Sequence, residues 1–313
     1  MPADVTTPAP LSPEALLERE ADQRQRTGVL ALAAAIFLVI SSLLSALLRS
    51  GGPDVLLLDG LRDAAGEPFG DPRRAGLLND QLDYMHSHLG LVAGGMVAQI
   101  IYLSCLAFVL IYLFDAAKGR RRETQPWLRS LALAGIAATA VALIIQLIAV
   151  HISIGDFLNA SNQDSQAARD ALKPPATQIA GLLGLFGGLA LSISWVMIVL
   201  NAMRTGLLTR FIGTLGMFSG VLVFPLFSQY LSNLIIVVIF WLVAVGLTIL
   251  QLVRGRQGIP PAWLTGKAEP WPTAAQVREQ RQALAAKDKP AGDSPEEDAP
   301  SPATSARKRK RRS

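Results

Sequence analysis

Cysteine occurs once in the 313 residues, at Cys105, inside an apolar run. A single cysteine forms no internal disulfide, so it leaves the redox compartment unread. Charge is scarce as well: Asp, Glu, Lys and Arg make up 17% of the chain, where a soluble domain carries about a quarter. No charged side chain stands in the middle of any long apolar run. Proton- and ion-coupled transporters keep an ionisable group at that depth because its expense is tolerated only for function, so the gap weighs against a coupled pump. There is no Walker A loop, no HExxH, no GxSxG and no CxxC. No catalytic residue, no cofactor and no enzymatic activity are expected. The N-terminus does not read as a secretory signal, because a mostly polar segment precedes a first apolar run too long for one.

Apolar sequence is plentiful: 51% of residues are hydrophobic, gathered in runs at 27–48, 89–114, 131–152, 176–200, 211–228 and 234–253. Each is near the ~20 residues that cross ~30 Å of hydrocarbon as a helix. Each is apolar all round, whereas a soluble helix has a polar face. The fold class expected is all-α: a polytopic transmembrane bundle of six spans with largely disordered cytosolic tails. Hydrocarbon offers no partner for a free N–H or C=O, which makes helices obligatory. Pro174-Pro175 precede the fourth span, and Pro225 is expected to kink the fifth.

Lys and Arg set the orientation. With the N-terminus inside, the inner segments hold 23 of them and the outer loops 6. Leaving out the C-terminal tail, ten against six still favour the same sense, and Lys118-Gly119-Arg120-Arg121-Arg122 concentrates the signal. Both termini are expected in the cytosol of a bacterium whose 22 Arg against 7 Lys point to a high-GC genome, with the bundle in the plasma membrane.

The chain then divides into a cytosolic segment 1–26, its helix-like part at Pro13–Arg26; the bundle 27–253 with an outer loop 49–88; an interfacial Trp/Pro strip 254–272; and a charged tail 273–313. In the outer loop, Leu78, Leu82, Met85 and Leu89 follow a helical repeat, and Leu56–Leu58 are placed on the bilayer surface. A packed outer cap is the plain reading and a substrate vestibule the sharper one. Asp115-Ala-Ala-Lys118-Gly119 and Asn201-Ala-Met-Arg204-Thr-Gly206 each end a span with a cation and then Gly, which suits a left-handed helix cap. Small residues four apart (Gly90/Gly94, Ala134/Ala138, Gly184/Gly188, Gly216/Gly220) allow backbones to approach in lipid. They signal a compact bundle, with room for a homo-oligomer.

The turn Asn201–Gly216, NAMRTGLLTRFIGTLG, and the later PPAWLTGKAEPWP strip resemble a family of six-span integral membrane proteins of high-GC Gram-positive bacteria that has no assigned activity. The resemblance is clearest from the fourth span to Trp271. It implies location and architecture, and carries over no functional residue.

Three groups of side chains are candidates for chemistry. Gln99 and Gln146 lie near mid-depth, and Ser41, Ser42, Ser45, Ser104, Ser192 and Ser194 line other spans. Hydrogen bonds between helices are the plain reading, a path for a small neutral solute the alternative. His86, His88 and His151 fall at the outer boundary with Asp83 and Asp156 nearby, and form a weak candidate metal or proton-sensing set. On one helix His86 and His88 would point about 200° apart, so interfacial histidines without metal are expected. The terminal cations Arg307, Lys308, Arg309, Lys310, Arg311 and Arg312 are expected to meet anionic lipid or a cytosolic protein partner, with nucleic acid the weakest reading. The function favoured is a structural or interaction protein of the membrane. A small permease for a neutral or apolar solute is the alternative, and a membrane enzyme or sensor built on the outer-face histidines comes third.

Overall fold

The structure, a computed structural model, describes residues 13–52, 79–121, 123–160, 165–224, 234–252 and 260–271, together with 276, 278, 279, 282 and 283. The described residues are helices joined by turns and short irregular stretches, with no strand among them. In chain order the helices are α1 Pro13–Gly51, α2 Asn79–Ser87, α3 Leu89–Arg120, α4 Trp127–Asn159, α5 Ser165–Leu172, α6 Pro175–Arg204, α7 Arg210–Leu222, α8 Ile235–Ile249 and the single turn α9 Pro261–Thr265. Four of them, α1, α3, α4 and α6, are long and apolar enough to cross a membrane. Helices α7 and α8 are apolar but shorter.

Residues Met1–Trp271 form one compact unit and Pro272–Ser313 another. In the second unit Gln276, Arg278, Glu279, Gln282 and Ala283 are helical. The terminal cations 307–312, the acidic residues before them, Leu56–Leu58, Leu78 and Pro225 lie outside the described residues.

The first unit is built around α3, the most buried of the four long helices. Helix α1 packs along one side of α3, and α4 and α6 pack on it elsewhere. A chain of neighbours then runs from α6 to α7, from α7 to α8 and from α8 back to α1. Helices α4 and α6 approach each other closely. A Cβ added at Gly135 would lie 2.6 Å from the Leu191 backbone nitrogen and 2.8 Å from the Gly187 carbonyl. Glycine is therefore required there, and of the pairs expected from spacing Ala138 packs against Gly187 and Gly184 against Ala142 in the same contact. The Gly216/Gly220 pair does meet a neighbour: the Trp241 indole occupies the space a Gly216 side chain would need. That ring donates Nε1–H to the Ile212 carbonyl at 3.1 Å and packs on Trp195 at 4.9 Å.

Much of the surface is apolar. Ile36 and Leu43 on α1, Phe108 on α3, Ile144, Ile148 and Ile152 on α4, Phe186 on α6 and Phe240 on α8 are all exposed. A soluble monomer does not display so extensive an apolar surface. Exposed apolar helices of this length are compatible with a multi-pass membrane protein, the lipid tails being the natural cover.

Three expectations change at helix ends. The polar segment from Pro13 and the first apolar run are one helix of 39 residues, continuous through Arg26. Gly119 does not cap α3, which runs on to Arg120 and ends in an extended Arg121; among the described glycines only Gly206 (φ 80°) and Gly266 (φ 66°) are left-handed. The helical repeat that joins Leu82 and Met85 to Leu89 is also interrupted, because the chain breaks at His88 between α2 and α3.

Candidate functional site

Two places gather the side chains that carry chemistry, one at each end of α3. At the Arg120 end, the Arg120 side chain is fully buried, and its five N–H donors match five hydrogen bonds. Nε and Nη2 donate to the Ala262 carbonyl at 3.2 and 2.8 Å, and Nη1 donates to the Ala116 carbonyl at 3.0 Å. The remaining two go to the Glu20 carboxylate, Nη2 to Oε2 at 2.8 Å and Nη1 to Oε1. This is the two-pronged guanidinium–carboxylate geometry that a lysine cannot reproduce. It explains why α3 passes Gly119: the last turn is held by its own arginine.

Ala262 belongs to the Trp/Pro strip, and the strip closes this end of the bundle. Pro261 opens α9 at a position where its missing N–H costs nothing, and Gly266 ends it. Between them Trp263 is buried and donates Nε1–H to the Leu207 carbonyl at 2.9 Å. Its ring lies parallel to Tyr112 at 5.9 Å, and the guanidinium carbons of Arg24 and Arg120 each sit 5.4 Å from its centroid. Desolvated cations over an indole are worth up to about 2 kcal/mol each. Further along, the Glu269 N–H donates to the Thr205 carbonyl at 3.3 Å, directly over left-handed Gly206, where any side chain would strike the Glu269 carbonyl. Thr205, Leu207 and Leu208 are completely covered. Thr209 then starts α7 by accepting the Ile212 N–H at 3.2 Å. The turn and the strip, far apart in sequence, are thus packed against each other.

At the Leu89 end, α2 and α5 lie across the end of α4 over a small core of Leu82, Ile154, Phe157, Ala168 and Ala171. Beside it is a cleft of about 120 Å³. Met85 and His86 of α2, Leu89, Val92 and Met96 of α3, and Gln146, Val150, His151 and Ile154 of α4 line it. The His86 and His151 rings stack at 5.5 Å with 11° between planes. His88 is elsewhere: its ring stacks on Tyr84 at 4.1 Å, and Nδ1 is 3.0 Å from both the Tyr84 carbonyl and the Ser87 hydroxyl. Asp83 and Asp156 are exposed and do not line the cleft. Among the described residues no three His, Cys, Asp or Glu are placed to share a metal ion.

The two glutamines part company. Gln146 faces the cleft, whereas Gln99 accepts the Ser41 hydroxyl at 3.1 Å and joins α3 to α1. Other serines turn back on their own helices, Ser42 to Leu38, Ser104 to Ile100 and Ser194 to Leu191. Sequence reasoning did not pick out Glu20, Arg24 and Arg120 as partners. The available signal was the strong charge of Pro13–Arg26 beside a Trp/Pro strip predicted to meet the same membrane face. Comparison with family models, with curated proteins and with solved structures finds no match for this chain.

Proposed function

We propose that this chain is a six-span integral protein of a bacterial plasma membrane, with both termini cytosolic, that anchors and presents its charged C-terminal tail at the inner surface. Helices α7 and α8, of 13 and 15 residues, serve as the fifth and sixth crossings. Glu20 near the start of α1 and Ala262 after the last apolar helix meet at Arg120. An even number of crossings brings those two points to one side, and the Lys/Arg count makes that side the cytosol. The family resemblance of turn and strip belongs to the same reading.

The observation that carries the proposal is Trp263. One residue ties the strip to α1, α3 and the turn before α7, only nine residues before the second unit begins. So firm a fixture suits a tail that must be held at a surface. The permease alternative needs a polar path reaching both glutamines, and Gln99 is already committed to Ser41. Swelling of liposomes carrying the purified full-length protein tests this. Glycerol and urea should enter no faster than into protein-free liposomes; accelerated entry would restore the permease.

A further inference from the structure

The cleft between α2, α3 and α4 brings together a donor set that no sequence motif announces. Two of the chain's six methionines, Met85 and Met96, line it with two of its three histidines, His86 and His151. These come from three helices: His86 and Met85 are neighbours on α2, Met96 lies two turns into α3, and His151 faces them from α4. The His86 ring also comes within 4.0 Å of the place where a Gly155 side chain would stand, so glycine leaves that face of α4 open to the imidazole.

We propose that this cleft binds a soft monovalent metal ion of the copper(I) class, held by the Met85 and Met96 thioethers and the His86 and His151 imidazoles. Thioether and imidazole are the neutral, polarizable donors that suit copper(I). No carboxylate and no cysteine is among the lining residues, so the site supplies no charge to offset a divalent ion. Apart from the neutral amide of Gln146, the rest of the wall is apolar, which penalises +2 far more than +1 on leaving water. A structural zinc site asks for four ligands, commonly thiolate, imidazole or carboxylate, and His88 is turned away on Tyr84. Each methionine has three rotatable bonds, which lets its sulfur turn toward the rings without moving a helix. Binding involves no electron transfer; the ion enters and leaves as copper(I). The inference does not depend on the anchoring role proposed above.

The test uses full-length protein in detergent, carrying Cys105→Ser because a thiol binds copper(I) by itself. Copper(I), kept reduced by ascorbate, is offered as its coloured bicinchoninate complex. The protein should remove one equivalent per chain. Met85→Leu with Met96→Leu, a swap that keeps volume, should weaken binding at least about tenfold, the scale at which metal sites respond to altered surroundings. His86→Gln with His151→Gln should abolish it, and His88→Gln should leave it unchanged. Thermal unfolding of each variant separates lost binding from lost folding, and the leucine pair still decides the matter if the histidine pair misfolds. An undiminished chromophore with the parent protein overturns the proposal. So does undiminished copper affinity in the leucine pair, or zinc bound at one equivalent and lost in His88→Gln.

Discussion

Replacing Arg120 should reveal how strongly the closed end of the bundle depends on one side chain. In Arg120→Met the Glu20 carboxylate, 7% exposed as a residue, loses its guanidinium, and the Ala262 carbonyl loses both of its arginine donors. Breaking a buried pair by removing one partner costs about 3–5 kcal/mol. For a bundle of this size that corresponds to a fall in Tm on the order of 10 °C. Arg120→Lys should recover only part, since three ammonium donors cannot replace the fork that spans Glu20 and Ala262. The informative variant is the double replacement Glu20→Leu/Arg120→Met. It removes both charges together, and paired apolar replacement of a buried ion pair is often neutral or better. It should therefore be more stable than Arg120→Met alone, and short of the parent by no more than about 1 kcal/mol for the lost arginine hydrogen bonds, because the Ala262 carbonyl keeps the Gly266 N–H at 3.3 Å. Thermal unfolding in detergent, followed by Trp fluorescence, reads all three. A Tm for Arg120→Met within 2 °C of the parent, or a double variant that loses the full sum of the two single losses, would refute the reasoning.

Three further outcomes follow from other parts of the chain. Trp263→Phe keeps an aromatic ring, though a smaller one, and leaves the Leu207 carbonyl without its donor; it should cost about 1–3 kcal/mol. Trp263→Ala should cost more, about 3–5 kcal/mol, again by thermal unfolding. Gly135→Val would drive carbon into the Leu191 backbone 2.6 Å away and should destabilise by about 1–3 kcal/mol, whereas Gly90→Ala, which meets nothing within 4 Å, should be tolerated. A peptide of residues 273–313 should bind vesicles of anionic lipid and not neutral ones in a sedimentation assay, weakening steeply with salt; replacing Arg307–Arg312 with Gln should abolish the binding.

Composition made the four long helices legible, and for a simple reason. A helix in hydrocarbon must be long and apolar, and both properties are written locally. The ends were less legible because tertiary partners decide them. Gly119 follows a cation just as Gly206 does, yet only Gly206 caps a helix; Arg120, paired with Glu20 a hundred residues earlier, carries α3 past Gly119. The spacing of small residues showed that α4 and α6 could approach closely, but which small residue sits at the crossing depends on the rotation of both helices. That placed the contact on Gly135 and Gly187. The histidines were legible as a group at one depth and not as a site. The break at His88 sends that ring to Tyr84 and leaves His86 facing His151, and the methionines that complete the cleft carry no motif. The turn and the strip were each recognisable in sequence; that they touch through Trp263 and Glu269 was not.

In the proposed topology the two ends of α3 face opposite sides of the membrane, and thiol labelling in intact cells decides which end is outside. In a Cys105→Ser background, single cysteines at Glu123, Lys267 and Gly66 are exposed to a membrane-impermeant maleimide before and after lysis. Gly66→Cys should label in intact cells, while Glu123→Cys and Lys267→Cys should label only after lysis. Labelling of Glu123→Cys or Lys267→Cys in intact cells, with Gly66→Cys protected, would contradict the account.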